Sequence, residues 1–272
     1  MVQRLLAVLL MVALVGSVYA GDAKEVVVSS AEELKGIKAK KITWKEDGAK
    51  MVLIPSTATL EQKKTFNRVG EPIVKAVEVE GPNPVPFYID VTEVTVGQFK
   101  KFLKSSGYKP AEPIDWNYVY KYSPTDKHPM IYVTWHDATA YAKWVGKRLP
   151  TEAEWEFAAR GGLVGKEFTW GDDESVAREY AHYGSWNDGK GTTKPVGSFK
   201  PNGYGLFDMV GNVWEWCADL YSSDHGGRVV RGGSWNDKTN ILRVASRGYD
   251  FPMATNLISG FRCVSGFPAA QQ

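Results

Sequence analysis

The side chains that could do chemistry in this 272-residue chain are concentrated in one stretch, Lys200–Tyr221. It reads KPNGYGLFDMVGNVWEWCADLY and sets two acids, Asp208 and Glu215, and the thiol of Cys217 among aromatic and aliphatic residues. An Asn-Gly pair near its start predicts a tight turn, because both residues tolerate positive φ. The stretch is too apolar for a surface loop, and its glycines interrupt any long helix. It is therefore predicted to be a buried, irregular segment that needs unusual partners for its backbone.

The chain has two cysteines, Cys217 and Cys263. In an oxidising compartment such a pair is more often a disulfide than two free thiols. The bond would close a loop of roughly 47 residues and stabilise the fold by on the order of 3–4 kcal/mol in the chain-entropy model. The alternative is two buried, unpaired thiols that pack as small hydrophobic side chains.

The histidines offer no clear catalytic pattern. His136-Asp137 lies at the start of a predicted helix, where a cap and a core edge are more typical than a catalytic dyad. His182 and His225 have no partner at metal-ligand spacing, and nucleophile-elbow, P-loop and HExxH motifs are absent from the sequence.

Residues 1–20 have the pattern of a secretory signal: Arg4, an apolar core over Leu5–Val18, and a small-residue cleavage site before Gly21. A membrane anchor is the competing interpretation, but the apolar run is short and no lipobox cysteine follows. The sequence thus predicts a periplasmic or extracellular protein with no membrane span after signal removal. The polar, Lys-rich residues 21–48 are predicted to be an N-terminal extension.

Composition favours an ordinary globular protein, with 43% hydrophobic and 24% charged residues. The net charge is +2, the charges are well mixed, and there is no basic run or zinc-finger spacing. These features exclude a nucleic-acid-binding class. The 27 glycines and 10 tryptophans favour a loop-rich fold.

The elements that must position the central stretch begin with three helices. Capping patterns predict helix starts at Thr95, Thr134 and Thr151, the last ending at Gly161-Gly162. Four prolines make Ser105–Met130 loop-like.

Buried strands are predicted at Met51–Pro55 and Pro86–Val91, with a long hairpin or loop over Ser56–Pro84 between them. Later strands are predicted at Val229–Trp235 and Gly260–Val264. Early helices followed by irregular β structure indicate an α+β fold.

Four motifs occur together in order: RLPTEAEWEFAARGG at Arg148–Gly162, PNGYGLFDMVGNVWEW at Pro201–Trp216, VRGGSW at Val230–Trp235, and GFRC at Gly260–Cys263. Through them the chain resembles the formylglycine-generating enzyme, or sulfatase-modifying-factor, family. The resemblance extends over residues 49–267. It implies a single C-type-lectin-like domain with little regular secondary structure.

The resemblance also indicates which family chemistry this chain lacks. Members that oxidise a sulfatase cysteine to formylglycine hold copper with two cysteines shortly after GGS, and soft Cu(I) prefers paired thiolates. At those positions this chain has Asp237 and either Thr239 or Leu242. Copper and formylglycine formation are therefore not expected. Cys263 matches the family's structural cysteine. Because the usual partner position holds Ala159, Cys217 becomes the candidate partner.

A structural calcium ion is what the resemblance implies for the central stretch. Mapped residue by residue, Asp208 and Glu215 would supply carboxylates, and Gly211 and Val213 backbone carbonyls. Calcium accepts six to eight such oxygens. The alternative is that these acids are solvated or paired with Arg231 or Arg262. The loop Trp186–Lys194 lacks the acidic pattern of the family's second calcium site.

Three functions remain open for such a domain. The first is a secreted noncatalytic or accessory protein that binds a protein or small molecule in a groove above GGSW. The wall of that groove is predicted to consist of Ser234, Trp235, Asn236, Asp237, Arg243, Arg247 and Tyr249. The second is a periplasmic maturation enzyme of unknown oxidative chemistry, and the third a hypervariable ligand-display protein of the same fold.

Overall fold

The computed structural model describes residues 25–266 except 57, 67–71, 81–84, 186–190 and 225. The predicted signal, residues 1–20, and His225 lie outside the described residues. Among the helices that are described, none has both the length and the apolar character needed to cross a bilayer.

Along the sequence, the helices occupy the middle of the chain, and strands precede and follow them. The helices are α1 (Val96–Ser106), α2 (Trp116–Tyr122), α3 (Trp135–Trp144), α4 (Glu152–Arg160) and α5 (Ala177–Tyr180). The strands are β1 (Val27–Val28), β2 (Lys41–Trp44), β3 (Lys50–Ile54), β4 (Ala58–Phe66), β5 (Pro72–Glu80), β6 (Phe87–Asp90), β7 (Trp214–Leu220), β8 (Arg228–Arg231), β9 (Arg247–Asp250), β10 (Ser259–Gly260) and β11 (Val264–Ser265). The predicted α+β class is confirmed.

Three helices begin where their capping patterns predict. The side chains of Thr95, Thr134 and Thr151 each accept a hydrogen bond from the backbone N–H of the residue three positions later. The side chain of that later residue in turn accepts a hydrogen bond from the backbone N–H of the threonine. In α3 the returning side chain is Asp137, which confirms that the His136-Asp137 pair begins a helix. Helix α4 ends at Gly161, whose φ of 58° suits glycine.

Helix α2 lies inside the segment predicted to be a loop. Asp115 caps it by accepting hydrogen bonds from the backbone N–H groups of Asn117 and Tyr118. The four prolines flank this helix without interrupting it. The loop prediction is wrong for this helix, because it rested on the prolines and did not consider the N-cap Asp115 between them.

One sheet has the order β1-β2-β3-β6-β11 and is antiparallel except for β1 and β2, which are parallel. The predicted N-terminal extension therefore contributes two strands to the domain. Asp47 from the same segment binds the buried Lys147 ammonium at 3.1 Å, and Asp90 of β6 binds it at 2.7 Å. Within Ser56–Pro84, predicted to be a long hairpin or loop, β4 pairs antiparallel with β5 from Ala58↔Glu80 to Phe66↔Pro72.

The second sheet has the order β10-β7-β8-β9, which leaves β9 at an edge. Strand β7 runs through the stretch predicted to be irregular. The strand predicted over Val229–Trp235 ends at Arg231, because Gly232 and Gly233 have φ values of 97° and 75°. The strand predicted over Gly260–Val264 is divided between β10 and β11.

Buried aromatic residues fill the space between these elements. The largest cluster includes Trp44, Phe99, Tyr141, Trp216 and Phe261, and a second surrounds Trp155 beneath α4. A third, smaller cluster contains Phe168, Val210 and Leu242. Strand β7 contributes to the first two clusters, so the central stretch lies between them.

Candidate functional site

The stretch from Asp208 to Glu215 has a tightly constrained backbone. Asp208 and Asn212 are non-glycine residues in the left-handed region, with φ of 56° and 58°. Between them, Gly211 has a φ of 78°, and a Cβ on it would lie 2.6 Å from the His182 carbonyl oxygen. Only glycine fits there. This backbone turns the acids at both ends of the stretch inward.

Glu215 is paired with Arg262 in the core. Arg262 Nε lies 2.9 and 2.8 Å from the two carboxylate oxygens, and its Nη2 lies 2.7 Å from Oε1. Trp155 donates to Oε2 at 2.7 Å, and the pair is 1% exposed or less. The guanidinium therefore neutralises one of the two carboxylates predicted to bind calcium, as the Arg262 alternative anticipates.

Asp208 and Glu93 form the remaining acidic cluster. Asp208 Oδ2 accepts the Gly197 N–H at 2.6 Å, and Glu93 Oε1 accepts the Asn212 side-chain amide at 2.9 Å. The other oxygen, Glu93 Oε2, is buried with no hydrogen-bond partner among the described residues. Burial raises the pKa of Asp208 to about 6. Burial first, and then the neighbouring Asp208 carboxylate, raises the pKa of Glu93 well above its usual value.

The sequence analysis did not identify Glu93 as a site residue. The signal was an acid three residues after a strand of four buried residues. No group of three or more His, Cys, Asp or Glu side chains in the described ranges is arranged to hold a metal ion. Any cation here would depend on backbone carbonyls as well.

Asp237, at the first position of the family's copper-binding pair, closes a turn. Its Oδ2 accepts hydrogen bonds from Ser234 N at 2.9 Å, Ser234 Oγ at 2.6 Å and Trp214 Nε1 at 2.9 Å. The carboxylate thus fixes the backbone after Gly233 and holds one indole of β7. This arrangement gives Asp237 a structural role.

The two alternatives for the second copper position are Thr239 and Leu242. Thr239 starts a 3-10 turn, Thr239–Ile241, and Leu242 is 0% exposed in the third hydrophobic cluster. Neither offers a thiolate to a metal. At the positions where the resemblance would place copper ligands, this segment therefore has hydrogen-bonded and buried side chains.

Two of the predicted groove residues are not on a wall at all. Ser234 and Trp235 are both 0% exposed. Trp235 stacks on Tyr122 with centroids 6.0 Å apart, and its indole donates to the Leu257 carbonyl at 3.2 Å. The prediction for these two residues is wrong, because their side chains complete the core. Asn236, which follows them, is half-buried.

The other predicted groove residues diverge. Arg243 pairs with Glu167 at 2.8 Å, whereas Arg247 on β9 binds both carboxylate oxygens of Glu152 at 2.7 and 3.0 Å. Tyr249 lies two residues further along β9 and is 42% exposed. The structure brings Arg247 and Tyr249 together and directs Arg243 to a different ion pair.

Around Tyr249 lies a row of large side chains, all exposed except the half-buried Tyr221. We call this the β9 aromatic surface, consisting of Leu220, Tyr221, Arg247, Tyr249, Phe251 and Met253. Tyr249 lies 4.7 Å from Tyr221 and 6.3 Å from Phe251 between ring centroids, and Arg247 lies 4.2 Å above the Tyr221 ring. Phe251 and Met253 are 55% and 50% exposed. Arg247 and Tyr249 alternate along β9, and Phe251 and Met253 continue the same spacing into the turn that follows the strand.

The predicted disulfide does not form in this structure, where Cys217 and Cys263 are both free and buried. Cys217 packs in the second hydrophobic cluster beside Trp155, and Cys263 packs in the first. The two thiols thus serve different parts of the core. Burial raises the pKa of each thiol well above its usual value, so neither is a nucleophile at neutral pH.

A family model described as a sulfatase-modifying factor enzyme 1-like domain matches residues 39–266, beginning ten residues before the predicted domain start. The formylglycine-generating enzyme of Streptomyces coelicolor is 33% identical over 268 residues, covering 72% of this chain and 85% of its own length. The inactive C-alpha-formylglycine-generating enzyme 2 of Bos taurus is 35% identical over 251 residues, covering 73% and 82%.

Solved structures show the same fold. PvdO from Pseudomonas aeruginosa has a TM-score of 0.65 at 26% identity, covering 85% of this chain and all of that one. Treponema denticola variable protein 1 has a TM-score of 0.57 at 24% identity, covering 84% and 99%. The fold, the ordered motifs and the matched length agree, and this chain belongs to the sulfatase-modifying-factor family.

Proposed function

We propose that this protein is a noncatalytic or accessory binding member of its family and does not form formylglycine. One observation carries the proposal: the first copper-ligand position holds Asp237, a carboxylate committed to three hydrogen bonds, and the second holds either Thr239 or the fully buried Leu242. Hard oxygen donors and aliphatic groups do not replace paired thiolates on Cu(I).

The β9 aromatic surface is the face on which we place the ligand. Exposed aromatic and arginine side chains in contact with one another are the residue types that dominate binding energy at protein interfaces. They lie beside an edge strand, whose outer backbone groups can pair with an added strand. These features favour an extended protein segment over a small molecule.

The relatives support this assignment without deciding it. Relatives named as active and inactive formylglycine-generating enzymes are similarly close, at 33% and 35% identity. Overall identity therefore does not distinguish the two activities. The proposal therefore rests on the side chains at position 237 and at position 239 or 242.

The test of catalysis is a copper-loaded oxidation assay on a sulfatase-type cysteine peptide. We expect no formylglycine product by mass spectrometry, whereas a copper-dependent family enzyme run in parallel gives product. Turnover by the purified protein would overturn the noncatalytic proposal and favour an oxidative maturation enzyme.

The test of binding compares capture of native extracellular or periplasmic proteins by three forms of the domain. A partner of the β9 aromatic surface is recovered by the wild type and by Val164→Ser, whose side chain is 88% exposed elsewhere on the chain. The double variant Tyr249→Ser/Phe251→Ser loses it. Equal recovery by all three forms would exclude this surface.

We further propose a structural calcium ion held by Asp208 and the Gly211 and Val213 carbonyls, with Glu93 as an additional ligand. The support is the buried Glu93 Oε2, which has no described partner and lies in a cluster whose carboxyls resist ionisation. A divalent cation would compensate the negative charge of these carboxyls and allow them to ionise. We expect calcium to raise the melting temperature of the wild type and to leave the melting temperature of Asp208→Asn unchanged. An identical midpoint with calcium and with chelator would contradict the site.

We also propose export to the periplasm or the medium, on the strength of the pattern in residues 1–20. Mass spectrometry of the protein from its native source is expected to show an N-terminus at Gly21. An intact Met1 start on the mature protein would contradict export by this signal.

A further inference from the structure

A second surface feature is a groove of about 780 Å³ between α1 and α2, which the proposed binding face does not include. Lysines of α1 line one side and aromatic residues of α2 the other. The lining residues that the argument uses are Lys100, Lys101, Lys104, Trp116, Tyr120 and the acid Asp126.

The lysines on the α1 side are not equivalent. Lys100 Nζ binds Asp126 at 3.2 Å and the Tyr120 hydroxyl at 3.0 Å, so a protein carboxylate compensates its charge. Lys101 donates to the uncharged backbone carbonyl of Glu46. Lys104 is exposed in the last turn, and no ion pair among the described residues includes Lys101 or Lys104. Two positive charges are thus available to a ligand.

The α2 side offers an aromatic platform. Trp116 and Tyr120 are one helical turn apart, with ring centroids 6.1 Å apart and planes at 37°. Both rings are half-buried and pack against the first hydrophobic cluster, which fixes their positions. Their exposed faces can accept C–H groups, and the Trp116 indole N–H can bond to a hydroxyl, whereas the Tyr120 O–H already donates to Asp126 at 3.0 Å.

We infer that this groove binds an acidic saccharide chain. The sugar rings lie against Trp116 and Tyr120, and carboxylate or sulfate groups face Lys101 and Lys104. An acidic peptide fits less well, because both walls are helices whose backbone groups bond within the helix and leave no partners for an extended peptide backbone. A saccharide meets its hydrogen-bonding needs through hydroxyls and side chains.

The experiment is calorimetric titration of the whole protein with hexagalacturonate, with maltohexaose as the neutral saccharide and hexaglutamate as the acidic peptide. We expect binding of hexagalacturonate alone, weakening as salt rises because exposed charges are screened. Binding of maltohexaose or hexaglutamate as tight as that of hexagalacturonate would overturn the inference, and so would no binding of hexagalacturonate.

Two matched charge reversals locate the site. Lys104→Glu is expected to weaken hexagalacturonate binding about tenfold, since attraction is replaced by repulsion. Lys238→Glu changes the net charge equally at an exposed position outside the groove and is expected to leave affinity unchanged. Trp116→Leu, with an unchanged melting temperature as the check on folding, is expected to abolish binding. Equal effects of the two reversals would reduce the interaction to net charge and overturn the site.

Discussion

Two stretches of this domain direct their side chains in opposite ways. From Asp208 to Glu215 the acids turn inward, and the protein itself supplies Arg262, Trp155 and Gly197 as their partners. From Arg247 to Met253 every second side chain points to solvent. Substitutions in the first stretch should therefore change the free energy of unfolding, and substitutions in the second should change binding.

The largest effect expected from this comparison is that of Arg262→Met. It leaves the Glu215 carboxylate buried without its counter-ion, which costs about 3–5 kcal/mol of the free energy of unfolding. Arg247→Met is the matched control, because Arg247 is 36% exposed and its ion pair is worth about 1 kcal/mol or less. Urea denaturation measures both, and equal losses would remove the contrast between the two stretches.

The next effect is a pH dependence carried by Asp208. Its pKa is about 6 when folded and about 3.9 in an unfolded chain, so the folded state holds the proton more tightly. The free energy of unfolding therefore falls as pH rises from about 4 through about 6, by up to about 3 kcal/mol at 1.36 kcal/mol per pKa unit. In Asp208→Asn this component is missing.

The measurement is the free energy of unfolding of both proteins between pH 4 and 7 with chelator present. Asparagine is the appropriate replacement because it tolerates the positive φ at this position. Parallel pH profiles would show that Asp208 does not titrate in this way. Calcium at pH 7 should restore the stability of the wild type alone if the ion binds there.

A smaller loss is expected from Asp237→Ala, which removes the acceptor of three hydrogen bonds. The buried donors of Ser234 and the indole N–H of the half-buried Trp214 lose a partner, at a cost of about 1–2 kcal/mol. Asn236→Ala, at the half-buried position beside it, is the control and should change the free energy of unfolding little. A neutral Asp237→Ala would mean that this turn is not held by the carboxylate.

The smallest effect on stability is expected from Tyr249→Ser/Phe251→Ser, the change that should most reduce binding. Exposed side chains away from caps and cores usually contribute within about 0.5 kcal/mol each. Thermal unfolding should show little change in the double variant. A loss as large as that of Arg262→Met would place these rings in the core of the fold.

Local patterns in the sequence predicted much of the fold. The caps at Thr95, Thr134 and Thr151 depend on residues only three apart. The four ordered family motifs together predicted the fold of the whole domain. The cysteine pairing was wrong because the sequence does not reveal which core cluster a buried side chain faces. Ser234 and Trp235 were misassigned for the same reason, since a conspicuous motif does not show whether its side chains are buried.

The candidate sites were harder to predict because they join distant positions. Glu93 meets Asn212 across 119 residues, and Tyr221 reaches Tyr249 only through the pairing of β7, β8 and β9. The sequence contains the period-2 spacing of the large side chains at 247, 249, 251 and 253, but it does not show that they are exposed. This spacing indicates a binding surface only once the structure places β9 at the edge of the sheet.

The separate burial of Cys217 and Cys263 gives the domain two internal reporters of motion. A small alkylating reagent can reach either thiol only when the surrounding cluster opens, so each modification rate measures a local opening free energy. Cys217 reports on the packing beneath α4, and Cys263 on the packing against α1 and α3. Comparing the two rates would show whether the halves of the core open together or independently.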